Sequence, residues 1–555
     1  MDRKTILIVL ACMLVLMGSQ WVINKIYPPV PKKPKPAPEL VATNAPEAAE
    51  TNVAPAIKPA RAEAATRTQE ERPPEQTATL SNDCIRVEFT SWGGGIRSVE
   101  LLKHRANGHG PAVLNAQAPT PALALVGVAG ADTNDLFELQ QIDAHTVVMR
   151  SAAQVTKTFS LSNEYVIAGN VRLPKDLAAA ETNVSVVVGT ATPAQPKETV
   201  AYLNVDWQNG PKFFNRDLSR VTSRAKKGQN QEQIRASWVA VKSQYFTMIL
   251  SPATNAVSVS YVPVELPPTP ESIASKTLLH GITASAEVPL AKETDGSGTC
   301  TFTFYAGPKD YDRLVALGNN QEQVMDLGSW MDLYSGIFGW ILLKSMMSFY
   351  KLVPSYGVAI ILVTVAIKII FWPIQAKSIK SMKEMQKFQP QLQKLKEKFK
   401  DDPQRLNQET MKLYREHKIN PMSGCLPMLV QLPVLIAFYK VLVSAIELRG
   451  VAFLWIKDLS QPDTVLAVAG FPINPLPLVM VGTQIWQQKI TPTSGDPQQA
   501  KMMMFMPLIM LMFFYKAAAG LVLYWTLQQL LSIAQQWWSL RHEKKTAPVA
   551  AGKSK

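Results

Sequence analysis

The sequence predicts a multi-domain protein in which an α-helical polytopic membrane core is combined with an all-β domain outside the membrane. The first 325 of the 555 residues are soluble in character apart from one apolar run, whereas the last 230 are mostly apolar blocks. The net charge is +14, of which segment 374–420 contributes 12 basic against 6 acidic residues and segment 541–555 contributes 5 against 1. Basic stretches beside apolar spans are typical of a cytoplasmic face near anionic lipid, although charge alone leaves docking of RNA open.

The N-terminal segment 1–27 is predicted to be a transmembrane anchor. Its apolar run is too long for a typical signal-peptide core and lacks a small-residue cleavage motif, which favours an uncleaved anchor over a cleaved signal. Segment 28–79 contains 11 prolines among alanine, glutamate and threonine, so it is predicted to be an extended linker that cannot bury enough apolar surface to fold.

Segment 80–320 is predicted to form an all-β sandwich. Short runs of alternating apolar and polar residues, such as 146–150 and 155–161, are separated by turn residues such as the Trp-Gly-Gly-Gly at 92–95. Two cysteines lie in this half, Cys84 and Cys300. They are either simply buried or joined by a disulfide if the domain lies in an oxidising compartment.

The helical half begins with an amphipathic helix at 327–350, whose aromatic residues and interspersed charges are typical of a helix lying in the membrane interface. A membrane core follows at 351–540, with a helical hairpin predicted at 375–418 and a basic tail at 541–555. Together with the anchor, the apolar blocks of this core give six predicted spans, the last five at about 356–372, 425–446, 471–486, 502–516 and 520–538.

The orientation depends on which charges dominate. The lysines that follow the anchor would place the N-terminus outside, but the dense basic loop 374–420 lies close to the second span, where charge counts most. We therefore expect both termini and the loops 374–420 and 487–501 to be cytoplasmic and the β domain to be periplasmic, in the inner membrane of a two-membrane bacterium.

Enzyme chemistry is not indicated. The sequence lacks nucleotide-binding, zinc-protease, serine-hydrolase and dinucleotide-binding motifs, and its six histidines lie outside the predicted spans. We expect no catalytic residue, no cofactor and no metal.

Lys368 is a basic residue within the second predicted span, four residues after Thr364, so the two share one helix face. Inserting a lysine into hydrocarbon costs roughly 3 kcal/mol. Two interpretations are open: the side chain snorkels to water from a position near the end of the span, or it lines a wet cavity.

The sixth predicted span presents Trp525, Gln528 and Ser532 at helical spacing, and Gln431 lies in the third span. Interhelical hydrogen bonding is one interpretation of this polarity. The other is a receptor for a transient anionic guest, because many donors accompany Lys368 and no acid lies in the spans.

Short spans and a methionine-rich span are two further features that could help a guest segment to enter the membrane. Blocks 471–486 and 502–516 are shorter than a bilayer core of about 30 Å, which favours local bilayer thinning. The fifth span carries six methionines within 502–512, for which gap-filling core packing is favoured over an adaptable guest-binding surface.

The stretches Asn-Pro-Met-Ser-Gly-Cys-Leu-Pro at 420–427, Glu-Leu-Arg at 447–449, Leu-Trp-Ile-Lys-Asp-Leu at 454–459, Thr-Pro-Thr at 491–493 and Gly-Leu-Val-Leu-Tyr at 520–524 resemble the YidC insertase family of Gram-negative bacteria. The resemblance implies a five-helix insertase core with a hydrophilic groove and a periplasmic β-supersandwich. It places the positive charge of the groove on Lys368, where the family usually has arginine. The groove residues it implies, together with the polar residues above, are Lys368, Thr364, Gln431, Tyr524, Trp525, Gln528 and Ser532.

The resulting hypothesis is a non-enzymatic insertase and chaperone for integral inner-membrane proteins, acting alone or with the Sec translocon. The expected partners are nascent membrane proteins, the Sec translocon with its accessory subunits, ribosomes at the basic loops and tail, and anionic lipids, but not DNA. A small-solute transporter and a periplasmic envelope scaffold are the alternatives.

Overall fold

The computed structural model of the protein describes residues 73–105, 110–162, 164–193, 200–268, 278–327, 333–400, 402–417, 426–468, 471–491 and 497–546. The predicted anchor 1–27, most of the linker 28–79 and the last nine residues of the predicted tail lie outside the described residues.

The N-terminal half of the described chain is a β domain made of two antiparallel sheets. The smaller sheet has the strand order β1-β2-β3-β4, and the larger has the path β5-β10-β16-β15-β13-β14-β18-β9-β8-β7-β6, with β11, β12 and β17 at its sides. The strands are β1 Thr77–Ser81, β2 Ile85–Thr90, β3 Gly95–Arg105, β4 Pro111–Leu114, β5 Leu125–Val126, β6 Phe137–Gln141, β7 Thr146–Ser151, β8 Thr156–Leu161, β9 Val166–Leu173, β10 Asn183–Ala191, β11 Asn204–Asn209, β12 Lys212–Asp217, β13 Gln231–Lys242, β14 Phe246–Pro252, β15 Ala256–Glu265, β16 His280–Pro289, β17 Ala291–Lys292 and β18 Gly298–Pro308.

Three short helices accompany these strands: α1 Lys175–Ala180, α2 Leu218–Ala225 and α3 Tyr311–Ala316. Because β1 already pairs with β2 from Thr77 onwards, the folded domain begins inside the predicted linker. The strands alternate buried and partly exposed residues, as in β8, and this alternation lets one face of each sheet enter the core.

A buried lysine fixes the glycine-rich turn between β2 and β3. The Lys157 ammonium, from the buried face of β8, donates to the carbonyls of Gly93 and Gly94 at 2.9 and 2.8 Å and lies 4.5 Å from the centre of the Phe137 ring. Burial lowers the pKa of Lys157 to about 7. Gly94 has φ +55°, and a Cβ there would lie 2.6 Å from the Phe137 ring, so the turn requires glycine.

Cys84 and Cys300 are both buried and free. The structure therefore agrees with simple burial, and the alternative of a disulfide between them is not realised.

An ion pair in the interior holds the segment that leads from the β domain to the helical half. The Lys242 ammonium lies 2.6 Å from Asp206 Oδ2 and donates to the carbonyl of Val324 at 2.9 Å. Both charged side chains are buried, with Lys242 3 % exposed and Asp206 0 %. The Trp238 indole adds a second tie by donating to the Asn319 carbonyl at 2.9 Å.

The helical half contains eight described α-helices and a small hairpin of strands β19 Leu466–Val468 and β20 Phe471–Ile473. The helices are α4 Leu333–Leu352, α5 Tyr356–Lys387, α6 Gln389–Lys398, α7 Pro403–Glu416, α8 Leu426–Ser444, α9 Pro475–Ile490, α10 Pro497–Phe514 and α11 Ala519–Thr546.

The predicted second span and the first part of the predicted hairpin form one continuous helix, α5, which corrects the expected break near residue 372. Pro373 lies inside α5. A proline in a helix removes the hydrogen bond to the carbonyl four residues earlier, here that of Ile369, and a membrane helix tolerates this loss where its surroundings satisfy the carbonyl. Beside the proline, the Gln535 amide of α11 donates to the Trp372 carbonyl at 3.4 Å. The helix ends at Lys387 instead, and Pro390 lies in the first turn of α6. Pro390 has no N–H to donate to the Gln386 carbonyl, so α5 cannot continue its hydrogen bonding through it.

The remaining helices also depart from the predicted spans. Residues 471–473 form β20, so α9 begins at Pro475, and α11 continues past 538 into the predicted tail. Helix α10 has 18 residues and spans about 27 Å at 1.5 Å per residue. Helix α10 is therefore longer than the predicted block but still short of a bilayer core of about 30 Å, as is α9, whose 16 residues span about 24 Å.

By length and composition, α5 is the described helix that is long and apolar enough to cross a membrane, while Val430–Ser444 and Met504–Phe514 are shorter apolar stretches. The predicted interfacial helix corresponds to α4. Its Leu342, Leu343 and Met346 are buried in the core that it shares with α5 and α8.

The β domain rests on the start of the segment that follows α8. The Arg449 guanidinium lies over the rings of Tyr245 and Phe246, 5.4 and 5.1 Å from their centres. The Gln244 amide donates to the Val443 carbonyl at 3.3 Å. Both carboxylate oxygens of Glu447 are buried without a hydrogen-bond partner among the described residues, and burial raises the pKa of Glu447 to about 7.

The Asp206–Lys242 pair predicts a strong asymmetry between single and double substitutions. We expect Asp206→Leu to lower the free energy of unfolding of the β domain by about 3–5 kcal/mol, because it leaves the buried Lys242 ammonium without its counter-charge. The double variant Asp206→Leu, Lys242→Met should recover most of that loss. Hydrogen exchange of β-domain peptides in the detergent-solubilised full chain, followed across a urea series, measures both. Equal losses in the single and double variants would contradict this role of the ion pair.

Candidate functional site

Lys368 is buried within the helical half. Its side chain is 3 % exposed, and its ammonium donates to the Gln375 amide oxygen and, at 2.7 Å, to the Ser532 hydroxyl. A snorkelling lysine would expose its charge, so this interpretation is wrong. Among the described residues, no carboxylate forms an ion pair with Lys368.

Thr364 lies one turn from Lys368 on α5, as the spacing predicts. It is fully buried, and its hydroxyl donates to the Ile360 carbonyl of its own helix at 2.6 Å. It does not line the groove described next, so the structure separates it from the other predicted groove residues.

An open groove of about 350 Å³ lies beside Lys368 between α5, α8, α9, α10 and α11. Its walls combine apolar side chains with an unusual number of primary amides, since nine of its lining residues are glutamines. These glutamines are Gln375 from α5, Gln431 from α8, Gln484, Gln487 and Gln488 from α9, and Gln528, Gln529, Gln535 and Gln536 from α11.

Some of the groove amides form hydrogen bonds to side chains of a neighbouring helix, and others do not. The Thr483 hydroxyl of α9 donates to the Gln529 amide oxygen of α11 at 2.6 Å, which accounts for the interhelical bonding that the sequence left open. The amide oxygens of Gln484 and Gln528, by contrast, are buried without a hydrogen-bond partner among the described residues. Unpaired acceptors in a groove favour binding of something that brings donors.

The structure brings four predicted site residues together in this groove: Gln431, Trp525, Gln528 and Ser532. Tyr524 lies beside it, in a small cavity that also contacts Gln375, Gln431 and Gln528, and its ring stacks on Phe438 with centres 4.1 Å apart. Lys368 lies behind this wall, in contact with two residues that line the groove.

Sequence reasoning missed Gln375 and the polar face of α9. Gln375 was placed in a predicted hairpin because the span was expected to end before it. The α9 residues Gln484, Gln487, Gln488 and Thr491 follow helical spacing, and this pattern was the available signal.

The described methionines of the fifth predicted span divide between exposed, groove-lining and core positions. Met504 and Met512 of α10 are 63 % and 71 % exposed, beside exposed Phe505 and Phe513, and Met506 lines the groove. Met510, by contrast, packs against the apolar core, so core packing holds for Met510 and not for Met504 and Met512.

Comparison with known proteins gives the family. A family model described as 60Kd inner membrane protein matches residues 348–546, and one described as YidC periplasmic domain matches residues 77–341. The membrane protein insertase YidC of Pelobacter propionicus is 32 % identical over 564 residues, which cover 97 % of this chain and 98 % of the relative. The chain belongs to the YidC membrane protein insertase family.

The corresponding insertase of Syntrophus aciditrophicus is 41 % identical over 307 residues, which cover 54 % of this chain and 52 % of that relative. A crystal structure of an active YidC insertase with its first transmembrane domain resolved is 19 % identical, with a TM-score of 0.36, and the match covers 84 % of this chain and 93 % of that one.

Membership of the YidC family confirms the predicted family resemblance, the insertase class and the combination of a mostly β periplasmic domain with a helical inner-membrane core. YidC insertases are not enzymes, which agrees with the motif search. It also favours an insertase over the transporter and the scaffold.

The groove predicts a contrast in water accessibility. In a background without the native cysteines, we expect Gln431→Cys to react with a charged thiol reagent in membranes, because Gln431 lines the polar groove. Leu508→Cys on α10 is the control, since it is 59 % exposed on an apolar face and should meet lipid instead. Equal labelling rates at the two positions would contradict a hydrated groove.

Proposed function

We propose that this groove receives the polar, often acidic, N-terminal segment of a guest membrane protein and that Lys368 supplies the attraction. The observation that carries the proposal is the buried Lys368 ammonium, behind an amide-lined groove of about 350 Å³, with neutral partners and no paired carboxylate among the described residues. A buried charge that lacks a counter-charge favours an anionic visitor.

The amide walls suit a guest of any sequence. A polypeptide that leaves water must keep its backbone N–H and C=O groups hydrogen-bonded, because each unsatisfied group costs several kcal/mol in hydrocarbon. A glutamine side chain offers both donors and an acceptor. The amide oxygens of Gln484 and Gln528 are buried and unpaired among the described residues, and rotation of either side chain into the groove would offer its oxygen to a guest N–H group.

The apolar segment of the guest then moves into lipid beside α10. The exposed face of α10, with Met504, Leu508 and Met512, offers a flexible apolar surface for it. Transfer of apolar surface out of water gives roughly 0.8 kcal/mol per buried methylene group. The membrane potential adds about 2.3 kcal/mol per charge and 100 mV for a negatively charged segment. No nucleotide is required.

Lysine in place of the family's usual arginine changes the type of attraction. Arginine binds a carboxylate through a planar two-point fork, whereas a lysine ammonium acts as a point charge. Lys368 therefore retains electrostatic attraction without the geometric demand of a paired fork.

The remaining parts of the proposal concern partners and topology. The basic segment that ends α5 and forms α6 exposes Lys377, Lys380, Lys394 and Lys398, which supports contacts with ribosomes or anionic lipid. Together with the charge asymmetry of the sequence, this supports six spans with both termini in the cytoplasm, and action alone or with the Sec translocon.

Site-specific crosslinking tests the groove directly. We expect photoreactive side chains at positions 431, 525 and 528 to crosslink to stalled nascent membrane proteins, because these residues line the groove. A probe at position 364 should give far fewer crosslinks, since Thr364 is buried and does not line the groove. If position 364 crosslinks as well as the other three, or if none of the four gives adducts, the groove is not the guest site.

Charge at position 368 tests the attraction. We expect Lys368→Arg to retain insertion, and Lys368→Met to slow insertion of a client with an acidic translocated segment by roughly tenfold, which corresponds to about 1.4 kcal/mol. A client with a neutral segment should change little. Rates in reconstituted liposomes measure this, and equal slowing of both clients would reduce Lys368 to a structural residue.

A further inference from the structure

Gln375 stands between the groove and the buried charge. Gln375 and Ser532 both line the groove, whereas Lys368, to which they are bonded, does not. A guest that enters the groove therefore meets Gln375 and Ser532 before it reaches the ammonium.

The two partners of Lys368 differ in how firmly they are held. The Ser532 hydroxyl accepts from Lys368 and donates to the Gln528 carbonyl of its own helix at 2.8 Å, so both of its roles are fixed. For the Gln375 side chain, the bond from Lys368 is the one hydrogen bond found among the described residues. The amide of Gln375 is therefore the partner that can move away.

The geometry of α5 brings the pair together. Lys368 and Gln375 are seven residues apart, so they lie about two turns apart on the same side of the helix. Side chains on a helix lean towards its N-terminus, which tilts Gln375 back towards the long lysine stem. Gln375 is also 8 % exposed and contacts the small cavity of Tyr524, so it fills the space through which a carboxylate would approach.

We propose that Gln375 is a specificity-determining residue: its amide oxygen occupies the guest's place on the Lys368 ammonium until a guest carboxylate displaces it. A carboxylate bonds an ammonium more strongly than a neutral amide does, because both partners are then charged. A neutral guest oxygen gains little by the exchange. The groove thereby admits acidic segments to Lys368 and leaves the charge covered for others. This inference rests on the proposed function of the groove.

The test compares two clients that differ only in their translocated segment, one with aspartates and one with asparagines at the same positions. The ratio of their insertion rates in reconstituted liposomes, with the full chain, is the readout. Gln375→Leu removes the competing acceptor at similar size, and we expect it to raise the acidic-to-neutral ratio severalfold. Gln375→Glu supplies a permanent carboxylate to Lys368, and we expect it to lower the ratio to that of Lys368→Met.

Gln536→Leu is the matched control, because Gln536 lines the same groove but pairs with Thr491 instead of Lys368. We expect it to change the insertion rates of both clients by the same factor and so to leave their ratio unaltered. Gln375→Thr, whose side chain is too short to reach the ammonium, replaces Gln375→Leu if that variant does not fold, and we expect the same rise.

The results distinguish failure of the role of Gln375 from failure of the proposed function of the groove. If Lys368→Met lowers the ratio but the Gln375 variants leave it unchanged, or shift it in the same direction as each other, the role of Gln375 is refuted and the groove stands. If Lys368→Met leaves the ratio unchanged and positions 431, 525 and 528 give no adducts, the proposed function itself fails.

Discussion

The arrangement of the helical half depends on how one buried ammonium is satisfied. Lys368 has left water but has no acid to pair with among the described residues, so neutral oxygens from α5 and α11 must surround it. A buried charge without partners would cost several kcal/mol. Ser532, on the polar face of α11, and Gln375, which α5 reaches by continuing past Pro373, supply these oxygens.

The same requirement sets the character of the groove. Where several helices turn amides towards one another, their side chains can pair across the interface, as Thr483 and Gln529 do. Here the number of amides exceeds the number of such pairs, and oxygens such as that of Gln528 are left over. Under the proposed function, these surplus groups serve a visiting polypeptide, whereas helix packing alone would pair them. An insertase needs such a surface, because its guest must exchange water for other hydrogen-bond partners before it reaches lipid.

Buried charges are also paired where the chain leaves the β domain. Asp206 and Lys242 neutralise each other in the interior, and the lysine also holds the backbone at Val324, where the chain leaves for α4. Arg449 then lies against Tyr245 and Phe246 on the other side of the junction. The Glu-Leu-Arg stretch that marks the family in the sequence thus lies where the β domain meets the helices, which links a family motif to a structural contact.

The sequence by itself determined the structural class of each half. Alternation of polar and apolar residues marks the β domain and long apolar blocks mark the helical half, and both are local patterns that burial of apolar side chains imposes. It also identified Lys368, Gln431, Trp525, Gln528 and Ser532, since polar residues in apolar blocks stand out. Only the tertiary structure decided that Lys368 is covered and not snorkelling, that Thr364 is buried outside the groove lining, and that Gln375 and α9 contribute to that lining. These outcomes depend on which helix faces meet, and on a helix that continues through one proline and stops before another. Such choices are set by contacts between distant segments, which no local pattern records.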